Sequence, residues 1–275
     1  MPYKLIAIDC DNTLLDKKGN IPEENKRIIK ILNQKGIEII IATGRNDILV
    51  YDYIKELDIK APVIGCNGAS IRELRSGKIL SITPIKKTAL KEIFSYSSKN
   101  NLPFKAFTMK KGFSNDKMSV ELGINAIINT YTKALIENIK YEYITDTQKL
   151  IDEEEIIKVV FVEDKPKELE RIKQDIACIA DISAVRSARN CIDICDKTVS
   201  KGNALEKYAA SLSIDLKDTI AIGDSENDYY MLKKAGFSVA MENGEDSLKE
   251  IADMVTLSND NCGVSFALKK IFSLE

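Results

Sequence analysis

Short apolar runs alternate with stretches of helical periodicity at both ends of the chain, and the rhythm breaks in the middle. Leu5-Ile6-Ala7-Ile8 is an unbroken apolar run that stops at Asp9, which predicts a strand buried on both faces of a parallel sheet. Between Pro22 and Gly36, Ile28, Ile31 and Leu32 recur at helical spacing, with proline and glycine at the expected start and stop. A second strand, Glu38 to Ala42, runs into Thr43-Gly44-Arg45. A helix carrying Tyr51, Ile54 and Leu57 leads to a third strand, Pro62 to Cys66, which opens into Asn67-Gly68-Ala69. This β-α-β-α-β order predicts a right-handed parallel sheet with helices on its faces.

From Ile71 to Ile82 the pattern alternates around Ser76-Gly77-Lys78, as in a hairpin. From Pro84 to Asn190 strict alternation of strand and helix is lost. A helix on Leu90, Ile93 and Phe94 is followed by a strand at Phe104–Phe107 and a helical stretch from Glu121 to Ile139. A strand at Ile156–Val162, a helix opened by Pro166 and strands at Ile182–Val185 and Ile192–Ile194 complete the segment. Such mixing predicts an antiparallel α+β domain inserted into the first. The alternation returns at Ser200-Lys201-Gly202, which opens a helix. Strand Thr219–Ile222 then ends in Gly223-Asp224-Ser225-Glu226-Asn227-Asp228, and helix, strand, helix, strand and helix close the chain. The expected architecture is α/β: a Rossmann-like parallel-sheet core from residues 1–83 and 191–275, with helices on both faces, and an inserted α+β cap domain from residues 84–190.

Composition narrows the function classes. A formal net charge of -2 over 275 residues offers no global basic field for nucleic acid or anionic membrane. No apolar run approaches the ~20 residues of a membrane span, and none has the length of a signal peptide. A cytoplasmic monomer is expected. Six dispersed cysteines with no C-x-x-C pair read as reduced thiols. Cys10 reads as a small buried hydrophobe, because Asp9 and Asp11 on either side would suppress a thiolate. The chain has no histidine, which excludes Ser-His and Cys-His catalysis and imidazole zinc sites.

The remaining chemistry sits at strand ends. Period-two geometry places Asp9 and Asp11 on the same side of the first strand, where mutual repulsion calls for a cation between them, best a divalent metal. Thr43, Asn67, Asp224 and Asp228 follow three other strands, and Lys201 opens a helix. All carboxyl ends of a parallel sheet face one edge, so these groups can converge. Carboxylates for a metal, a hydroxyl and backbone donors for oxyanions, and one ammonium suit phosphoryl transfer.

In order, Asp9-x-Asp11-x-Thr13, Thr43-Gly44-Arg45, Lys201 and Gly223-Asp224-x-x-Asn227-Asp228 resemble the four motifs of haloacid dehalogenase superfamily phosphatases. The long insertion resembles the cap of the Cof-type subfamily. Asn67-Gly68-Ala69 and Val239-Ala240-Met241-x-Asn243-Gly244 are similar to sequences of that subfamily. The resemblance implies a Mg²⁺-dependent phosphatase of small phosphorylated metabolites. Asp9 is then the nucleophile, carrying phosphate as an aspartyl-phosphate, and Asp11 the acid and base. Asp9, the backbone carbonyl of Asp11 and Asp224 would hold Mg²⁺, supported by Asp228 and Asn227. Thr43, Gly44, Arg45, Asn67, Lys201 and Asn227 would bind the substrate and its phosphate. Arg45 fits equally well a plain ion pair with a nearby carboxylate. The approach to the third motif, Asp196-Lys197-Thr198-Val199, departs from the family in lacking its usual glycine, which leaves that loop's shape open.

Two other functions fit the same fold. A phosphomutase would return the phosphoryl group to a sugar, and a phospholigand sensor would only bind. Asp9, Asp11, Lys201 and Asp224 together argue against the sensor, since binding needs no acid-base carboxylate at position 11. Asp193 shares a strand face with Cys191 and Cys195 and fits either a structural or a substrate-facing role. The acidic run Asp152 to Glu155 reads as a solvated surface.

Overall fold

The computed structural model describes residues 3–121 and 140–274. The chain divides into two compact units, residues 1–80 with 200–275 and residues 81–199. The inserted unit therefore begins three residues before and ends nine residues after the expected 84–190. Its last strand, Cys191–Asp196, pairs with Ile182–Ala188 in a hairpin and with Lys158–Val162 on its other edge, so it cannot belong to the first unit's sheet.

In the first unit β1 (Leu5–Asp9), β2 (Glu38–Ala42), β3 (Val63–Gly65) and β4 (Ser70–Arg72) precede the insertion, and β5 (Ile79–Ile82) runs across its first boundary. In the second unit come β6 (Phe104–Phe107), β7 (Lys111–Ser114), β8 (Lys140–Tyr143), β9 (Lys158–Val162), β10 (Ile182–Ala188) and β11 (Cys191–Asp196). The first sheet resumes with β12 (Thr219–Gly223), β13 (Phe237–Ala240) and β14 (Met254–Val255), in the order β14-β13-β12-β1-β2-β3-β4-β5. From β14 to β3 the pairs are parallel; β3 and β4 are antiparallel. Every residue of β1 and β12 is buried, so both faces of the sheet centre are covered, as unbroken apolar runs require. Helices Glu23–Gln34 and Gly263–Phe272 pack together, as do Lys201–Ser211 and Tyr229–Lys234.

Register places the chemistry. Ile8 lies beside Ile222 and Asp9 beside Ala42, so Asp9, Asp224 and Thr43 leave the sheet at one level of one edge.

The second unit is a six-stranded sheet, β10-β11-β9-β6-β7-β8. Phe104, Ala106, Val159, Phe161, Ile192 and Ile194 form its apolar core with Leu90, Ile93 and Phe94 of helix Lys87–Lys99 and Leu169, Ile172 and Ile176 of helix Pro166–Ala177. One pair, β7 with β8, is parallel, so the sheet is mixed rather than wholly antiparallel. β7, β8 and helix Thr147–Glu153 have too few periodic apolar residues to stand out in the sequence. The helical stretch expected from Glu121 to Ile139 lies, beyond Glu121, outside the described residues. Among the described residues no helix is long and apolar enough to cross a membrane.

Candidate active site

After Asp9 the chain turns through Cys10–Leu14, with Asn12 at φ 58°. This turn ends the strand alternation, and the two motif aspartates part. The Asp9 carboxylate is buried and accepts a hydrogen bond from Lys201 Nζ at 2.5 Å. Asp11 instead faces Arg45, whose Nε donates to Asp11 Oδ2 at 2.8 Å and whose Nη2 donates to Oδ1. The protein cations at the two side chains differ: Lys201, which also pairs with Asp228, meets Asp9, and Arg45 meets Asp11. Of the two readings of Arg45, the ion pair is the one observed here. Cys10 is buried, and burial and the Asp11 charge push its thiol well above its ordinary value, in keeping with a packing role.

The carboxylates that gather are Asp9, Asp224 and Asp228, each bringing one oxygen to within 4.8 Å of the others. Asp224 Oδ1 accepts the Thr13 hydroxyl at 3.0 Å. Asp228 accepts three hydrogen bonds from the protein: Oδ1 from Lys201 Nζ at 2.7 Å, and Oδ2 from the backbone N–H of Asp224 at 3.0 Å and of Ser225 at 3.2 Å. A Cβ on Gly223 would meet the Asp228 carboxyl carbon at 2.5 Å, so the turn closes only over glycine.

Lys201 begins its helix behind Ser200, whose hydroxyl caps the Asn203 N–H at 3.0 Å. Its side chain is 0% exposed. Of the three clustered carboxylates, Asp9 and Asp228 are bonded to this one ammonium. Burial, then Asp228, push the Asp9 carboxyl up to about 7 against the opposing pull of Lys201. Burial, then Asp9 and Asp228, push Asp224 up to about 9. Burial alone would lower the Lys201 ammonium, but Asp228 and Asp9 outweigh it and raise it. With all three carboxylates ionised, the cluster carries two negative charges beyond the lysine, in an all-oxygen donor set. That charge and donor chemistry fit a hard divalent cation.

Around this centre, Thr43 is buried and its Oγ1 accepts the Arg45 N–H at 3.0 Å. Gly44 lies within this turn. Asn67 sits at φ 58°, its N–H donating to the Thr43 carbonyl at 3.0 Å. Asn227 Nδ2 donates to Asn67 Oδ1 at 3.0 Å, so these two expected ligands meet each other and tie their loops together. All ten expected site residues lie in the first unit. Asp193 stands apart in the second unit, paired with the buried Lys158 at 3.1 Å. Sequence reasoning gave no role of its own to Thr13, legible only as the last letter of D-x-D-x-T. It also passed over the buried Asp47–Arg72 pair, whose partners lie in different elements with no local pattern.

The sequence matches the haloacid dehalogenase-like hydrolase family over residues 6–268. The chain belongs to this family. Phosphatase YwpJ of Bacillus subtilis is 31% identical over 287 residues, covering 98% of this chain and 99% of that protein. The 5-amino-6-(5-phospho-D-ribitylamino)uracil phosphatase YwtE of the same organism is 32% identical over 284 residues, covering 98% of each. A solved haloacid dehalogenase-like hydrolase from B. subtilis superposes with a TM-score of 0.84 at 30% identity, covering 97% of this chain and 99% of that one. The Cof-type resemblance of the motifs holds. This haloacid dehalogenase-like hydrolase is a phosphatase.

Proposed function

We propose that the chain is a Mg²⁺-dependent phosphatase of small phosphorylated metabolites in which Asp9 carries the phosphoryl group. The observation supporting this most directly is the buried Asp9 carboxylate, held by Lys201 beside Asp224 and Asp228. A carboxylate so held presents one oxygen to an incoming phosphorus. Asp9, Asp224 and the carbonyl of Asp11 are the ligands assigned to Mg²⁺, with Asp228 and Asn227 in support. When bound there, Mg²⁺ supplies the charge neutralisation that lets an anionic nucleophile approach a phosphate dianion.

In the first step a new bond forms between an Asp9 oxygen and phosphorus as the phosphorus–alkoxide bond breaks, and Asp11 gives its proton to the departing oxygen. In the second, Asp11 takes a proton from water as that water's oxygen bonds phosphorus and the Asp9–phosphorus bond breaks. Inorganic phosphate leaves and Asp9 is regenerated. Thr43, Gly44 and Lys201 are assigned to the phosphoryl oxygens, Lys201 as a compact charge. Arg45 pairs with the ionised Asp11 carboxylate through two nitrogens, the state that takes the proton from water; donating a proton in the first step requires that pair to open. Residues 81–199 carry none of these groups and are assigned substrate selectivity.

Turnover in ¹⁸O-labelled water is expected to place the label in released inorganic phosphate. Recovery of unlabelled phosphate on a second position of the same sugar would make the enzyme a mutase instead. A panel of phosphorylated sugars, polyols and nucleotides assayed with Mg²⁺ would then rank the substrates.

The carboxylate cluster also sets a pH dependence. Asp9 at about 7 and Asp224 at about 9 lie above their ordinary value of 3.8, so the folded state holds protons that the unfolded state releases. Without metal, stability is highest at low pH and falls as pH climbs from the ordinary carboxylate range through 7 towards 9. Metal binding requires the ionised forms. The gain in Tm from saturating Mg²⁺ is therefore expected to be larger at pH 8 than at pH 6 by thermal unfolding. An equal or smaller gain at pH 8 would remove this cluster as the metal site.

A further inference from the structure

Two residues beyond Arg45 lies an acid that the mechanism does not use. Asp47 is 0% exposed and pairs with Arg72 Nη2, while Ser70 Oγ donates to its other oxygen at 3.5 Å. Buried ion pairs are weak sources of stability, because desolvating both ions offsets their attraction. This pair is poorer still: Arg72 Nε is buried without a hydrogen-bond partner, alone in this among the described residues. A guanidinium with an unmet donor is not there to optimise the core, so the question becomes what geometry the contact fixes.

It fixes the segment from Thr43 to Asp47. At its start, the Thr43 N–H donates to the Ile64 carbonyl at 2.8 Å and the Thr43 carbonyl accepts the Asn67 N–H at 3.0 Å. In its middle, the Arg45 carbonyl accepts the Cys66 N–H at 2.8 Å. Its far end, where the chain turns into Asp47–Val50, is held by the side chains of β4. Asp47 reaches them by lying directly over Gly65, where a Cβ would meet Asp47 Cβ at 2.8 Å and Ser70 Oγ at 2.8 Å. β3 and β4 place Ser70 opposite Gly65 and Arg72 opposite Val63, so the two partners of Asp47 stand on one rigid hairpin. The ion pair adds a side-chain tie between the end of this turn and β4 to the backbone bonds nearer its start.

We infer that Asp47 and Arg72 are positioning residues for phosphoryl binding, holding the Thr43–Arg45 turn in the orientation that presents the Thr43 hydroxyl to phosphate. This rests on Thr43 being a phosphoryl ligand, as assigned above. A misdirected turn weakens phosphate and phosphomonoester binding together, yet leaves the Asp9, Asp224 and Asp228 cluster on other loops intact. A purely structural role would change Tm and the active fraction but not inhibition constants.

The test compares three variants of the full chain by Ki for inorganic phosphate, KM, the Mg²⁺ activation midpoint and Tm. Asp47→Asn/Arg72→Met removes both charges and so strands neither in the interior. It is expected to raise Ki and KM about tenfold each, as loss of a good hydrogen bond to an ion does, with the Mg²⁺ midpoint unmoved. Arg72→Lys keeps the charge but not the planar fork, and a smaller rise of about threefold in both constants is expected. It decides the matter alone if the double variant does not fold. Unchanged Ki and KM in a folded variant would overturn the inference. Thr43→Ala separates the two layers. A raised Ki there, beside an unchanged Ki in the pair variants, overturns the positioning role and leaves the phosphoryl role of Thr43 standing. An unchanged Ki in Thr43→Ala overturns both.

Discussion

Asp9→Asn protein is expected to lose turnover by roughly 10⁴–10⁶-fold, the scale seen when a catalytic nucleophile is removed, while folding at least as stably as the parent. Asparagine keeps the shape of the side chain but offers no anionic oxygen to phosphorus, so no phosphoenzyme should accumulate under rapid quench. The stability half of the expectation follows from the crowding of charge. Asp9, Asp224 and Asp228 crowd together while one lysine pairs with Asp9 and Asp228, and burial and Asp228 already push Asp9 up to about 7. Replacing one of the three by a neutral amide relieves that repulsion, so Tm without metal should be unchanged or higher at pH 8. Such opposition between activity and stability is expected where a site stores unfavourable electrostatics for chemistry. A folded Asp9→Asn protein that retained more than a few per cent of activity would exclude Asp9 as the phosphate carrier.

Lys201→Met should be damaging in the opposite sense. Lys201 is 0% exposed and its ammonium is bonded to Asp9 at 2.5 Å and Asp228 at 2.7 Å. Removing it leaves buried carboxylates without their cation, a change that typically costs about 3–5 kcal/mol. The sign with pH is set by the carboxylates. Below pH 7, Asp9 takes up a proton and substitutes for the missing charge, so the loss should shrink towards pH 5 and be largest at pH 8. Turnover is expected to fall by about 10²–10³, the usual effect of deleting one preorganised electrostatic partner of a transition state. Lys201→Arg should not rescue it, because a larger planar cation does not fit a filled interior. Thermal unfolding at the two pH values, read beside steady-state rates, checks both halves. A Tm loss equal at pH 5 and pH 8 would show that packing around the side chain, not its charge, matters.

Much of this was legible in the sequence because parallel sheets turn order into place. Unbroken apolar runs at Leu5–Ile8, Ile39–Ala42 and Ile220–Ile222, set between helical stretches, read as central strands and are buried as such, and the residues following such strands share one edge. Asp9, Thr43, Asn67 and Asp224 therefore converge although they are scattered over the chain. What tertiary structure alone decided was partnership. That Asp11 belongs to Arg45, that Asp228 rather than Asp11 joins Asp9 and Asp224 around Lys201, and that Asn67 meets Asn227 depend on turns at Asn12 and Asn67 with positive φ. Period-two reasoning cannot reach past such turns. Asp47 and Arg72 were invisible for a related reason: a contact across 25 residues, between a turn and a strand, leaves no periodic trace. Hydrophobic burial is a property of spacing along the chain and can be read from it, whereas a salt bridge is a property of two side chains meeting in space.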